Sequence, residues 1–389
     1  MNSKFILPQS NLIIGNKKFR NIHNIINKYG YSNPLFIVDE GFSKSSLWKI
    51  VQKKIKKYFY KTKFIIISGK NEPTYNSLRK NLSKAKKIKF DLIVGVGGGT
   101  CMDTAKAIAV LINNIGDPIN YRGFDKIKKK GIPTICVPTT AGTGSEATCN
   151  ASFVDEKSNI KMGINGKNMF PTLSILDGET TLSCPKFALV GAAIDALVHI
   201  LEGYTSKKCS KFSDAVSEIG FKYIVNNILS LNNKKANINK RLNLLKGAYL
   251  GGIVVMNSSG GVASSVSYPL SVYYGVPHGI GGGIFLLYVA KYNCLKKYDK
   301  YKHLAKYIKL IKKKNSLQVI NHLEKIFEKL NVPKKLNNFG IYNKDFKKLV
   351  SIMKTQQKGF NQNPVRFSIN NEFKKMIKFF LWTKKTQVN

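Results

Sequence analysis

The sequence is short of the residues that build disulfide frameworks and cysteine-rich metal sites. It has six cysteines in 389 residues, and none of them forms a CxxC pair. This excludes the usual cysteine spacing of a zinc ribbon and favours a reduced protein. No apolar run approaches the about 18 residues that a membrane span needs, and the first residues lack the pattern of a signal peptide. We therefore expect a cytoplasmic protein without a membrane partner.

Acidic residues are scarce as well. The chain has 21 Asp+Glu against 64 Lys+Arg, which gives a formal charge of +43 at pH 7. One interpretation is a nucleic-acid partner, and the other is compositional drift. The cations are nearly all lysine and are spread along the chain, whereas nucleic-acid-binding surfaces usually cluster arginine with aromatic residues. We favour drift and expect no nucleic-acid partner, although the excess would favour small anionic ligands.

The chain is long enough for two domains, and its pattern changes near residue 182. In residues 1–182, β-branched runs alternate with helical stretches, which predicts a Rossmann-like α/β domain with a buried parallel sheet. In residues 183–389, helical patterns follow one another without a convincing strand, which predicts an all-helical domain. The predicted strands are 35–39, 64–68, 91–96 and 134–138. The predicted helices are 43–57, 75–87, 102–113, 186–205, 211–230, 236–257, 262–274, 279–294, 316–330 and 343–355, with 295–315 a solvated helix or loop.

Histidine is also scarce, and two of the five histidines have informative neighbours. Asp195 and His199 are four residues apart, so they project from one face of a helix. His278 follows a proline and precedes a glycine in a distant loop. A carboxylate and two imidazoles of this kind predict a divalent-metal site. The other interpretation is a pair of helix residues that lines a metal-free cleft.

Two glycine-rich segments follow predicted strands. Gly97, Gly98, Gly99 and Thr100 precede a helix, whose N-terminus presents free N–H groups to a phosphate. The segment 138–148 adds hydroxyl groups and small residues at the end of the next strand. Loops at the carboxyl ends of neighbouring strands form the crevice where open α/β sheets bind ligands. Asp39 ends an early strand, where a carboxylate accepts ribose hydroxyls and favours NAD over NADP; the alternative is a turn or helix-capping role.

Four segments together resemble the iron-type (group III) alcohol dehydrogenases. They are GGGTCMDTAK at 97–106, PTTAGTGSEAT at 138–148, the Asp195–His199 pair and VPHG at 276–279, and the resemblance covers about residues 5–375. It implies the dehydroquinate synthase-like architecture of that family. A nucleotide-binding α/β domain is followed by a helical domain, with metal and substrate in the cleft between them.

The resemblance also implies roles for individual residues. NAD is the implied cofactor, with iron or zinc as the divalent metal. Asp195, His199 and His278 match three of the family's four metal ligands, and Lys161 falls near the expected nicotinamide pocket. The cofactor-binding positions are Asp39, Gly97, Gly98, Gly99, Thr100, Asp103, Lys106, Thr139, Thr140 and Thr143.

The chain departs from the family at two positions. Ser264 stands where the fourth ligand is a histidine, and Tyr268 stands where a further histidine is common. A serine hydroxyl is a poor ligand compared with imidazole, so the metal is the open part of the site. Some relatives, such as maleylacetate reductases, act without a metal. The remaining histidines, His23, His303 and His322, are expected to be surface residues.

The leading functional prediction is reversible hydride transfer between NAD and a small polar alcohol. A polyol, a sugar acid or a phosphorylated or carboxylated alcohol fits the serine-rich wall at 264–267. Without a metal, His199 or His278 would move the proton, with Tyr268 and Lys161 as further candidates. The alternatives are a metal-independent reductase of the same family, lyase chemistry on the dehydroquinate synthase-like scaffold, and a degenerate nucleotide- or nucleic-acid-binding protein. The family commonly forms dimers, so the resemblance also implies a homodimer.

Overall fold

A parallel sheet forms the core of the first half of the protein. The computed structural model describes residues 5–69, 71–233, 235–309 and 315–381. Within them, six strands pair in parallel in the order β1-β9-β6-β4-β2-β3. Their bounds are β1 Asn11–Ile14, β2 Pro34–Asp39, β3 Lys63–Ile67, β4 Leu92–Gly97, β6 Thr134–Pro138 and β9 Leu173–Leu176. The predicted α/β fold class is confirmed.

The central strands are apolar along their length because helices cover both faces of the sheet. Alternate side chains of β2 point to opposite sides, so Phe36 packs with Trp48 on one face and Ile37 packs with Ala105 on the other. The helices of this half are α1 Ile22–Lys28, α2 Glu40–Ser43, α3 Ser46–Tyr58, α4 Tyr75–Ala85 and α5 Gly99–Leu111. This arrangement brings the carboxyl ends of β2, β4 and β6 to one edge.

A second, three-stranded sheet lies beside the first. Its strands are β5 Gly123–Phe124, β7 Asn150–Asp155 and β8 Ile160–Asn165, in the order β5-β8-β7. The Tyr75 hydroxyl of α4 donates to the Met162 carbonyl of β8 at 2.8 Å, which anchors this sheet. Strand β8 thereby carries Lys161 into the crevice at the sheet edge.

The second half is helical throughout its described residues. Its helices are α6 Lys186–Thr205, α7 Lys211–Val225, α8 Ile238–Ser258, α9 Val262–Tyr274, α10 His278–Leu295, α11 Ser316–Lys329, α12 Phe346–Met353, α13 Gln357–Phe360 and α14 Lys374–Leu381. Helix α6 is the central helix, and by length and composition alone it is apolar enough to cross a membrane. However, 83% of the most apolar 18-residue segment of α6 is buried inside the protein, as in the core helix of a folded domain. The predicted division at residues 182 and 183 precedes α6 and stays a prediction.

Several local predictions were wrong. The predicted helix 43–57 corresponds to α3, which begins only at Ser46 because Ser45 caps it; residue 43 ends the separate helix α2, which Asp39 caps. The predicted helix 211–230 ends at Val225 and is followed by a 3-10 turn. In the stretch 295–315, a 3-10 helix at Lys300–Tyr307 buries Tyr301 and Leu304 in the core; residues 310–314 lie outside the described residues. His23 is buried against the Tyr58 ring, because α1 turns it towards α3.

Candidate active site

A crevice of about 1000 Å³ runs between the carboxyl ends of the central strands and the helical half. Asp39 and the glycine-rich turns line one side of it, and helices α6, α9 and α10 line the other. Most of the residues singled out in the sequence line this crevice, although they come from distant parts of the chain. Those residues are Asp39, Gly98, Gly99, Thr100, Asp103, Thr139, Thr140, Thr143, Lys161, Asp195 and His278.

The two glycine-rich loops are locked together at the phosphate-binding end. Thr139 N–H donates to the Gly97 carbonyl at 2.9 Å, which joins the ends of β6 and β4. A Cβ on Gly99 would lie 2.8 Å from Cγ2 of Thr143, so only glycine lets the loops approach this closely. Gly98 precedes α5, and no side chain caps the first N–H groups of that helix. These groups are available to an anion such as a pyrophosphate.

Asp103 and Lys106 hold the second loop in place. Asp103 accepts hydrogen bonds from the Ser145 hydroxyl at 2.5 Å and from Ser152 N–H at 2.9 Å. Lys106 is 1% exposed, and its ammonium donates to the Ser145 carbonyl at 2.8 Å and to the Asn150 carbonyl. Contact between Lys106 and a cofactor was therefore the wrong prediction. The Lys106 side chain lies beneath the loop, where it donates to backbone carbonyls, and it does not line the crevice.

Asp39 caps a helix and also lines the crevice. Its carboxylate accepts a hydrogen bond from Phe42 N–H at 3.0 Å, which caps α2. The same side chain lines the crevice beside Gly69 and Gly97. A capping carboxylate that also borders the nucleotide crevice remains able to accept ribose hydroxyls.

Asp195, His199 and His278 converge on the helical side of the crevice, which Asp195 and His278 line. Asp195 Oδ1 lies 3.6 Å from Nε2 of His199 and 3.6 Å from Nε2 of His278. One ligand atom from each residue lies within 4.8 Å of the others. The first two residues share a face of α6, and His278 begins α10. The approach of α10 requires Gly279, since a Cβ there would collide with the Gly191 carbonyl of α6.

Ser267 determines which nitrogen of His278 carries the proton. The Ser267 hydroxyl donates to the His278 backbone carbonyl and lies 3.0 Å from its Nδ1. With the hydroxyl proton on that carbonyl, the tautomer that hydrogen-bonds to Ser267 carries its proton on Nδ1 and a lone pair on Nε2. Burial lowers the pKa of His278, so this imidazole favours the neutral form.

Asp195 and His278 therefore present acceptors to one another. The Nε2 lone pair of His278 faces a carboxylate oxygen, and the buried Nδ1 of His199 has no hydrogen-bond partner among the described residues. A divalent cation would satisfy acceptors grouped this closely. The residues present fit a divalent metal with two nitrogen ligands and one carboxylate ligand.

Ser264 has a different task from that of a metal ligand. Its hydroxyl donates to Oε2 of Glu202 at 2.6 Å, and the same carboxylate accepts the backbone N–H groups of Gly261, Ala263 and Ser264. Glu202 thus caps the start of α9 from inside the core. Sequence reasoning missed Glu202, although its position one helical turn after His199 placed it beside the metal face.

A second charged group missed in the sequence is Glu72. Its Oε2 pairs with Nζ of Lys161 at 2.7 Å, and its Oε1 accepts the Ser271 hydroxyl at 2.9 Å. Burial alone would raise the pKa of Glu72, but the Lys161 charge and the hydrogen bonds lower it to about 2. Lys161 lies 5.0 Å from the ring centre of Tyr268, and that ring lies 4.7 Å from the His278 ring. Burial raises the pKa of Tyr268, so its hydroxyl stays protonated.

Comparison with known proteins agrees with this geometry. The family described as iron-containing alcohol dehydrogenase matches residues 8–178, and its C-terminal domain matches residues 189–378. Alcohol dehydrogenase 4 of Schizosaccharomyces pombe is 32% identical over 75% of this chain and 68% of its own length. A sulfoacetaldehyde reductase of Bilophila wadsworthia is 24% identical over 86% of this chain and 88% of its own length. A 1,3-propanediol dehydrogenase of Citrobacter freundii is 27% identical over 70% of this chain and 72% of its own length.

Solved structures match the whole architecture. The structure of an iron-containing alcohol dehydrogenase from Thermotoga maritima has a TM-score of 0.80 at 25% identity, covering 97% of this chain and 99% of that one. A 1,3-propanediol oxidoreductase shares the fold with a TM-score of 0.88 at 21% identity, covering 98% and 100%. These similarities define an oxidoreductase with a nucleotide-binding domain and a helical domain. The chain belongs to the iron-containing alcohol dehydrogenase family, which confirms the resemblance and the predicted enzyme class.

Proposed function

We propose that this protein is an NAD-dependent dehydrogenase of a small polar alcohol, with a divalent metal held by Asp195, His199 and His278. The convergence of these acceptors within 4.8 Å, on the helical side of the nucleotide crevice, carries the proposal. A bound metal would polarise the substrate oxygen and lower the pKa of the alcohol. The reaction itself is hydride transfer to or from the nicotinamide ring.

The chain's own residues supply binding and positioning. The N-terminus of α5 and the loop at 139–143 are suited to the pyrophosphate, and Asp39 to the adenosine ribose. Ser267 holds His278 in the tautomer that directs Nε2 towards Asp195. Tyr268 packs on His278, and Tyr268 and Lys161 are the proposed groups for passing the substrate proton towards solvent.

Removal of the metal tests the proposal directly. The purified protein, treated with a chelator, is expected to lose alcohol-dependent NADH formation and to regain it with Fe²⁺ or Zn²⁺. Elemental analysis beside the absorbance assay shows whether metal and activity leave together. Unchanged turnover by metal-free protein would instead support the metal-independent reductase.

Replacing Asp39 by serine is expected to weaken the preference for NAD. Serine still caps α2, but it removes the charge that opposes a 2′-phosphate. The ratio of kcat/KM with NADH to that with NADPH should fall by about tenfold or more. Asp39→Glu keeps the charge and serves as the control. An equal ratio in Asp39→Ser and the wild type would show that Asp39 acts only as a cap.

The homodimer and the cytoplasmic location stay predictions. Among the described residues, β1 is an edge strand of the large sheet, and Leu12 and Ile14 on it are exposed. Such an edge is suited to pairing with another chain. Light scattering at several protein concentrations would test the dimer.

A further inference from the structure

The crevice has the opposite charge to the rest of the chain. The chain carries +43, but the described residues that line the crevice include more acids than bases. The lysines are Lys44 and Lys161, and the acids are Asp39, Glu40, Glu72, Asp103, Glu156 and Asp195. Among the described residues, the positive charge of the chain therefore does not extend into the ligand site.

Both of these lysines are paired. Lys44 contacts Glu40 at 2.9 Å near the nucleotide end of the crevice. Lys161, near His278, contacts Glu72 at 2.7 Å. The Lys161 and Glu72 side chains are only 12% and 18% exposed, so water screens this pair far less than a surface pair.

The Glu72 carboxylate is fixed from two sides. Ser271 of α9 donates to Oε1, and Lys161 of β8 donates to Oε2. The hydrogen bond from Ser271 thus joins Glu72 of the first half to α9 of the helical half. The net charge of the Lys161–Glu72 pair is zero, and an incoming anion would meet the carboxylate together with a cation that is already neutralised.

We propose that Glu72 is a specificity-determining residue, which neutralises Lys161 so that the site selects uncharged hydroxylated alcohols and carbonyls over carboxylated, sulfonated or phosphorylated ones. This inference rests on the proposed dehydrogenase function. An uncharged hydroxyl donates to a carboxylate at little cost, whereas an anion beside Glu72 is repelled by that carboxylate and finds the Lys161 ammonium already paired. Of the substrates considered from the sequence, the polyol therefore fits this site best.

The test compares two aldehydes of similar size that differ in charge. NADH oxidation is measured with 3-hydroxypropanal and with sulfoacetaldehyde, using the metal-loaded wild type and Glu72→Gln. The wild type should prefer the uncharged aldehyde, and Glu72→Gln should shift the kcat/KM ratio towards the sulfonate by about tenfold or more, mainly through KM. Glu72→Asp keeps the charge and should retain the preference.

A matched control is available on the surface. Glu324 pairs with Lys291 at the same 2.7 Å, but neither residue lines the crevice. Glu324→Gln should leave the ratio of the two aldehydes unchanged. A wild-type preference for sulfoacetaldehyde, or an equal ratio in Glu72→Gln and the wild type, would overturn the inference.

A binding measurement separates this inference from the proposed function. Calorimetry with the enzyme–NAD complex compares isethionate, an anionic alcohol, with 1,3-propanediol. If neither aldehyde is turned over, the proposed function fails, but a gain of isethionate binding in Glu72→Gln still supports charge selection by Glu72. If isethionate binds the wild type and Glu72→Gln equally well, charge selection fails even when turnover is observed.

Discussion

Replacing Asp195 by asparagine is expected to remove the metal and most of the activity. The asparagine and aspartate side chains have nearly the same shape. The amide, however, lacks the negative charge that Oδ1 of Asp195 places 3.6 Å from both imidazole Nε2 atoms. Changes to the groups that merely orient metal ligands typically cost about 10–100-fold in affinity, so the loss of a ligand charge should cost at least about 100-fold. Elemental analysis and NADH formation measure the two effects on the same sample.

The matched control is Asp117→Asn. Asp117 pairs with Arg79 at 2.7 Å on the surface, and neither residue lines the crevice. This variant should keep its metal and its turnover. A fully loaded and active Asp195→Asn protein would contradict the metal site, whereas a metal-free but active one would favour the metal-independent reductase.

The parts of the fold that the sequence predicted are those with strong local patterns. Strands β2, β4 and β6 are buried and mostly apolar, so each stood out on its own. Strand β1 has four residues and is mostly exposed, and β9 has four. Runs this short give little periodicity, and both were missed. The small sheet was also missed, because two-residue β5 has no recognisable pattern and six-residue β7 and β8 interrupt their apolar residues with polar ones.

The residues of the candidate site also divide into those that a local sequence pattern predicted and those that only folding brings together. Asp195 and His199 are neighbours on one helix, so their spacing alone brought them together. Glu72 meets Lys161 and Ser271 only in the folded chain, at separations of 89 and 199 residues, which no local pattern encodes. Lys106 was misplaced because α5 is buried on nearly every side, so its position in a motif did not show which way the side chain points.

The second large effect is expected at Glu202, whose loss should destabilise the helical half. Its carboxylate accepts three backbone N–H groups at the start of α9 and the Ser264 hydroxyl, and it is 7% exposed. In Glu202→Ala these buried donors lose their acceptor, at about 1–3 kcal/mol for each unsatisfied group before relaxation. We expect the free energy of unfolding to fall by about 3 kcal/mol or more, measured by urea denaturation.

A graded series separates capping by Glu202 from a general effect of mutation. Ser264→Ala removes one of the four donors and should cost about 1 kcal/mol. Glu202→Gln keeps one acceptor oxygen, so its loss of unfolding free energy should lie between the losses in Ser264→Ala and Glu202→Ala. Glu324→Ala, on the surface, should change the free energy of unfolding little. Equal stability of Glu202→Ala and Ser264→Ala would contradict the capping role.

Because α9 also carries Ser267 and Tyr268, Glu202→Gln should weaken metal binding without touching a ligand. Ser264, which the resemblance sets at the position of the fourth histidine, thus donates to the carboxylate that caps α9, the helix that carries Ser267.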